Sequence, residues 1–294
     1  MTIDPAKVAA YRIGPYTGSC TARDAVLYAL GLGLGHDPLD REALAFVLEE
    51  WGPKVLPTFA TVIGDPNRWL ADSKLGIHGY PNVHGDETIT LHAPIPAAGR
   101  VACQSRIAGL YDRGPGSHAI LIVEEEMTDA GTGRPLATLR QTDVVIGAGG
   151  FGGEPPPAQE RPAMPQREPD HVVSHPVAPQ AALIYRLSGD HYALHVEPEF
   201  ARAAGFDGPI LHGLATYGIA CHAVVAACCH HDPSRIARFH GRFTAPIYPG
   251  EALATRIWRD GSIVRFETLA VVRNAVVLGN GRADLRDEVD GDRL

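Results

Sequence analysis

The hydrophobic pattern of the chain centres on residues 211–229, LHGLATYGIACHAVVAACC, an apolar run broken by His212, Thr216 and His222. A helix apolar on every face is buried rather than laid on a surface. The pattern therefore predicts a helix threaded through the middle of a domain. Upstream, residues 20–35 carry an apolar stripe behind Thr21 and Asp24, residue types that open helices. Residues 40–51 read as a second amphipathic helix. Residues 55–63 form a short apolar run containing Pro57, whose ring breaks a helix interior. From residue 88 onward the period shortens to that of strands, at 88–92, 101–111, 118–127 and 136–146, with turns at Asp112-Arg113-Gly114 and Asp129-Ala130-Gly131. Further strands are predicted at 252–258, 264–272 and 276–285, the first two joined by a hairpin turn at Asp260-Gly261.

The second half repeats the plan of the first. Ala93-Pro94-Ile95-Pro96 and Gly99 are answered by Ala245-Pro246-Ile247-Tyr248-Pro249-Gly250, and His84-Gly85 is answered by His240-Gly241. Landmarks repeated at one offset indicate duplication. Between the halves lies GAGGFGGEPPPAQERPAMPQREPD, residues 147–170, a Gly- then Pro-rich span read as a linker. The predicted organisation is a first repeat over 1–148, a linker over 149–171 and a second repeat over 172–294. Each repeat is an α+β unit in which a curved antiparallel sheet wraps a helix.

Composition narrows the partners. At 294 residues, with 45% hydrophobic and 20% charged positions, the chain suits two ordinary globular domains. The formal net charge of -8 opposes a phosphate backbone, so no nucleic-acid partner is expected. No stretch approaches a membrane span and no membrane partner is expected; the first residues lack the apolar core of a signal peptide. Five cysteines without framework spacing point to reduced thiols and a cytoplasmic location. The C-terminal Asp292-Arg293-Leu294 differs from the peroxisomal Ser-Lys-Leu signal. Cys228-Cys229-His230-His231 cannot easily converge on one ion, because neighbours on a helix point about 100° apart; no metal is expected there.

The candidate chemistry lies just before the apolar run. Asp190 and His195 stand five residues apart in a Gly-containing loop. A carboxylate and an imidazole can thus converge beside the helix start, although a short Ser-Gly-Asp segment with a nearby His is equally what a surface turn contains. The wider string is more telling. LSGDHYALH, AGFDGPILHGLATYG and RFTAPIYPGE in the second half, with RDAVLYALGLG, LPTFATVIGDP, VHGDETITLHAPIPAAG and GAGGFGG in the first, resemble the MaoC-like hydratase 2 family, and particularly its two-domain members acting in β-oxidation.

That resemblance implies a double hotdog whose first-half helix is reduced to make room for a bulky acyl chain. It implies an (R)-specific 2-enoyl-CoA hydratase, or 3-hydroxyacyl-CoA dehydratase, acting on an acyl-CoA or acyl-carrier thioester without cofactor or metal, as a monomeric double hotdog or its homodimer. Carried over by position, Asp190 and His195 match the acid/base pair and Gly213 the oxyanion-hole glycine. His84, Gly85, Arg113 and Phe243 match CoA-contacting positions. The chain departs from the family's Gly-Asp-x-Asn-Pro-Leu-His at two places, with Tyr192 for the asparagine and Ala193 for the proline. Tyr192 is therefore also a candidate substrate contact. Two other readings stay open: a thioester enzyme of altered outcome, such as a thioesterase, and a non-catalytic acyl-CoA-binding protein.

Overall fold

The described residues form ten strands. They are β1 (Tyr16–Cys20), β2 (Asn82–Leu91), β3 (Gly99–Asp112), β4 (Ala119–Asp129) and β5 (Pro135–Val145), then β6 (His171–Pro176), β7 (Ile236–Phe243), β8 (Ala252–Asp260), β9 (Ile263–Ala270) and β10 (Ala275–Leu285). In the computed structural model, which describes residues 3–64, 68–77, 79–158 and 163–287, these strands form one antiparallel sheet. Its order is β1-β3-β4-β5-β2-β7-β10-β9-β8-β6. The second five strands repeat the arrangement of the first five, so the duplication read from the sequence is a duplication of topology. The halves meet where β2 pairs with β7; there Thr88 lies opposite His240, and Thr88 Oγ1 is 2.8 Å from His240 Nδ1. The two predicted sheets are thus one continuous sheet.

Among the described residues six α-helices accompany it: α1 (Pro5–Ala10), α2 (Ala22–Gly31), α3 (Arg41–Leu44), α4 (Ala181–Tyr185), α5 (Pro198–Ala203) and α6 (Gly213–Cys228). Helix α6 is the predicted apolar helix. It packs against every strand of the second half and against the turn Pro57–Val62. It begins two residues later than its apolar run, because the Leu211 N–H donates to the Ile247 carbonyl and His212 is extended. Helix α2 starts as its sequence predicts: Thr21 accepts from the Asp24 N–H and Asp24 accepts from the Thr21 N–H, satisfying two donors that a helix start leaves open. Among the described residues no helix is long and apolar enough to cross a membrane.

In the first half, the position corresponding to α6 is held only by the 3-10 turn Pro57–Val62, so the first-half helix is indeed short. One expectation is corrected. Residues 40–51 do not form a helix; they give the single turn α3 and a second short turn, Glu49–Trp51. Asp40 caps α3 as a helix start should, but the Ala45 carbonyl accepts from the Lys54 N–H, so the helical bond that would continue the helix is replaced by a chain reversal. Strands β1, β6 and β7 lie outside every predicted strand. In β7, Arg238, His240 and Arg242 alternate with Phe239 and Gly241, and none of these residues is fully exposed.

The Gly-rich part of the linker packs on the first half. The Asp112 N–H donates to the Glu154 carbonyl, and Ala148 is buried. Of the Pro-rich part, residues 159–162 lie outside the described residues, as does the C-terminal Asp292-Arg293-Leu294.

Candidate active site

The loop between α4 and α5 is shaped by its own short-range bonds. Gly189 adopts φ 126, a conformation costly for any residue with a Cβ, and this turns the chain sharply into Asp190. The Asp190 carboxylate then accepts from the Tyr192 N–H at 3.1 Å. A 3-10 turn, Ala193–His195, swings the imidazole back towards the start of α6.

Asp190, His195 and His212 each offer a ligating atom within 4.8 Å of the others. That spacing suits one water bridging carboxylate and imidazole, with two hydrogen bonds of about 2.8 Å meeting at an angle. His195 Nδ1 is 2.9 Å from the Ile210 carbonyl. A carbonyl only accepts, so Nδ1 carries the proton and Nε2 presents its lone pair to the site. Burial pulls the His195 pKa below its ordinary value, with partial restoration by Ile210 and Asp190, so the ring is neutral near pH 7.

His212 supports this arrangement from beneath. Its ring stacks on His195 with centroids 3.8 Å apart, and its Nε2–H donates to the Asp190 carbonyl at 3.1 Å. Burial, then the neighbouring His195, lower its pKa to about 4. Among the described residues this trio is the only group able to gather on a metal ion, and two imidazoles with a carboxylate are a donor set that zinc can use. The Cys228-Cys229-His230-His231 run does not converge: both thiols are buried, and His230 and His231 turn away with φ 52 and 58.

Gly213 opens α6, where backbone N–H groups have no intrahelical acceptor. A Cβ there would stand 3.2 Å from Cδ1 and Cε1 of Phe243, so glycine lets the Phe243 ring close against the helix start. Phe243 in turn meets the edge of His84, centroids 4.9 Å apart. The ladder between β2 and β5 slips at Gly85, between His84 and Asp86. His84 Nε2 lies 2.9 Å from Glu87 Oε2, and although burial alone would lower its pKa, Glu87 holds it above the ordinary value. Three of the candidate CoA contacts are thus a packed group below Gly213.

Arg113 stands apart and exposed in the β3–β4 turn. Its neighbour Asp112 fixes that turn, accepting from the N–H groups of Gly114, Gly150 and Gly152 at 2.7, 2.7 and 2.8 Å. The GAGGFGG motif therefore acts as a cradle of donors for one carboxylate. Tyr192 is 50% exposed; its ring meets the edge of Phe200 at 5.5 Å and that of His195 at 6.1 Å. Sequence reasoning did not single out His212, Asp112 or Glu87. His212 was visible as a polar residue interrupting an apolar run, but the stacking that gives it a role is a tertiary contact.

Comparison with known proteins places the chain in a family. A family model described as the MFE-2 hydratase 2 N-terminal domain matches residues 19–147, and one described as a MaoC like domain matches residues 160–280. The chain is 37% identical over 283 residues to the enoyl-CoA hydratase ChsH3 of Mycobacterium tuberculosis, covering 95% of this chain and 97% of that protein. It is also 37% identical to the peroxisomal enoyl-CoA hydratase 2 of Arabidopsis thaliana, covering 90% and 89%. Among solved structures, a MaoC-like dehydratase from Phytophthora capsici superposes with a TM-score of 0.84 at 25% identity, covering 98% of this chain and 100% of that one. A Mycobacterium tuberculosis protein described as a double hotdog superposes with a TM-score of 0.56 at 16% identity over 94% of this chain and 96% of that one, which bears on the fold alone. The chain belongs to the MaoC-like hydratase 2 family, as a double-hotdog homologue of the enoyl-CoA hydratases 2.

Proposed function

We propose that the chain adds water to trans-2-enoyl-CoA thioesters, giving the (R)-3-hydroxyacyl product, and catalyses the reverse dehydration. The observation that carries the reading is the contact of His195 Nδ1 with the Ile210 carbonyl, 2.9 Å. With Nδ1–H tied to the Ile210 carbonyl, Nε2 is a neutral base beside the Asp190 carboxylate. A water held between the two gives its hydroxyl to the β-carbon and its proton to Nε2. The imidazolium, steadied by Asp190, returns that proton to the α-carbon, so atoms and charge balance with no cofactor. As charge builds on the thioester oxygen, the Gly213 N–H, free of an intrahelical acceptor at the start of α6, is the proposed donor to it.

Arg113, on its braced turn, is the proposed partner of a CoA phosphate. His84, Gly85 and Phe243 wall the site below Gly213, and Tyr192 borders its mouth. Five buried free cysteines fit a reducing, cytoplasmic setting.

The test is a panel of trans-2-enoyl-CoAs followed by loss of the conjugated-thioester absorbance. Saturable hydration is expected, unaffected by a chelator. Asp190→Asn and His195→Ala should each lower turnover by at least about a hundredfold while the thermal transition stays in place. No absorbance loss on any chain, or near-normal turnover in either variant, overturns the assignment.

A further inference from the structure

The inner face of the first-half sheet is divided by a diagonal rung of polar side chains, staggered between β4 and β5, where Glu125 lies opposite Leu139 and Gln141 opposite Val123. On one side lies the main core, with Ile89 of β2, Met127 of β4 and Leu139 of β5. On the other lies a second cluster, with Leu121 and Val123 of β4 and Val145 of β5. Between them Ser105, Glu125, Gln141 and Glu87 occupy β3, β4, β5 and β2 in turn. Ser105 pairs with Glu125 and Glu87 with Gln141 across their ladders. Glu125 and Glu87 are 5% and 2% exposed, so the rung is interior. Carboxylates are almost never buried so completely unless paired.

Glu125 is paired, accepting from Tyr16 Oη at 2.9 Å and from Ser105 Oγ at 2.7 Å. Glu87 is half paired: Oε2 meets His84 at 2.9 Å, whereas Oε1 is buried without a hydrogen-bond partner. An orphaned buried acceptor in a folded protein asks for an occupant. A cavity of about 20 Å³ lies here, lined by Glu87, Glu125, Gln141 and His84 and walled by Trp69 and Leu214. Roughly 10–15 Å³ on this measure holds one water, so the space matches a single hydroxyl. Leu214 directly follows the oxyanion glycine, and His84 touches the Phe243 ring that packs on it. The cavity therefore sits behind the start of α6, with Thr61 of the 3-10 turn Pro57–Val62 in its wall.

We propose that this cavity is a specificity subsite for a hydroxyl group carried by the acyl chain, donated to Glu87 Oε1, so that the preferred thioester has a hydroxylated rather than a plain hydrocarbon tail. This rests on the hydratase reading for its substrate class, and it is tested without turnover. The affinities of the wild-type protein for saturated acyl-CoAs are measured by calorimetry, each plain chain beside isomers with a hydroxyl on successive carbons beyond the reacting pair. A site built around a substrate hydroxyl rejects the analogue lacking it, because its own polar group is then left unpaired. At least one isomer should bind about tenfold or more tightly than the plain chain, and Glu87→Leu should erase that advantage. Plain chains that bind as tightly as every hydroxylated isomer overturn the subsite. Hydroxyl preference that survives unchanged in a folded Glu87→Leu protein does the same. Loss of turnover on all enoyl-CoAs is read separately, from the absorbance assay, and bears on the reaction rather than on the subsite.

Discussion

His195 and His212 stack with ring centroids 3.8 Å apart and an interplanar angle of 27°, and both rings fix their tautomers on backbone carbonyls, of Ile210 and Asp190 respectively. The two bonds cross-link the Asp190–His195 loop to the segment that leads into α6. His212 does not need to touch substrate to matter, because it holds the Asp190 backbone and shields one face of His195. His212→Ala should lower kcat by about ten- to a hundredfold, the worth of one or two oriented hydrogen bonds, and should change KM less. Opening the stack also relieves the burial that depresses the His195 pKa. The base then protonates at higher pH, so the acid limb of kcat/KM moves upward. His212→Asn keeps an N–H donor but no stacking ring, and should recover part of kcat without restoring the limb. An unchanged kcat and pH profile in His212→Ala would sink this positioning role.

Gly213 and Phe243 supply a second test. Alanine is a better helix residue than glycine by about 1 kcal/mol, so Gly213→Ala should not lower the melting temperature on helical grounds. Its Cβ, however, would press at 3.2 Å on two carbons of the Phe243 ring. Relief requires the ring or the helix start to shift, carrying the oxyanion donor with it. Turnover should fall by about tenfold or more, short of the 10²–10³ that complete loss of such a donor costs. Gly213→Ala with Phe243→Leu should regain much of the loss. If the single variant keeps full turnover, the N–H of Gly213 is not the donor.

Much of this plan was legible in the chain and some was not, for identifiable reasons. The Thr21/Asp24 capping box and the run that became α6 are local patterns, and local patterns survive folding. The repeated His-Gly and Ala-Pro-Ile landmarks located the duplication, because both copies build the same turns before the same strands. The failure at 40–51 came from the Lys54 N–H taking the Ala45 carbonyl, a contact that helical periodicity cannot reveal. Strand β7 was hidden because its RFHGR segment lacks the β-branched apolar run of the other strands; its place is set by pairing with β2 at the seam between halves. The Asp190–His195 pair was visible through its motif. The orphaned oxygen of Glu87 was not, since nothing in VHGDETITL says which carboxylate points inward.

Buried neutral histidines set an acid limit on stability. His175 is 9% exposed, and burial lowers its pKa to about 4; His222 is lowered to about 4 by burial and by the nearby His175 and His231. In the unfolded chain both titrate near 6.5, so between that value and 4 the unfolded state binds more protons and stability falls with falling pH. Well above about pH 7 neither histidine is charged in either state and the effect vanishes. The expected loss by pH 4 is on the order of 3 kcal/mol for His175, from the linkage of a shift of this size. Urea midpoints should drop steadily from pH 7 to pH 4, and His175→Leu should flatten the slope. A flat midpoint in the wild type across that range contradicts the burial of neutral imidazoles.

Tyr192 and Ala193, where the chain leaves its family's pattern, separate into a contact and a conformational effect. The bond that holds the Asp190 carboxylate comes from the backbone N–H of residue 192, which any residue except proline supplies. The Tyr192 ring instead leans on Phe200, itself 40% exposed, so the two aromatics make an apolar lip beside His195. Tyr192→Asn should therefore leave kcat on a straight-chain enoyl-CoA within about threefold while raising KM several-fold, since only surface offered to the bound substrate is removed. Ala193 opens the 3-10 turn, and Tyr192 before it is extended at φ -60 and ψ 130. A first helical position tolerates a residue without an N–H, and extended backbone is what a following proline requires. Ala193→Pro should accordingly stabilise the protein by about 0.4–1 kcal/mol by restricting the unfolded chain, with KM unaltered. The two single variants and the double variant, measured by melting and by initial rates, test this division. If Tyr192→Asn instead raises kcat well beyond threefold, the amide orients the Asp190–His195 pair directly and the tyrosine is a catalytic compromise. If Ala193→Pro lowers the melting temperature, the turn at 193 does not have the geometry described.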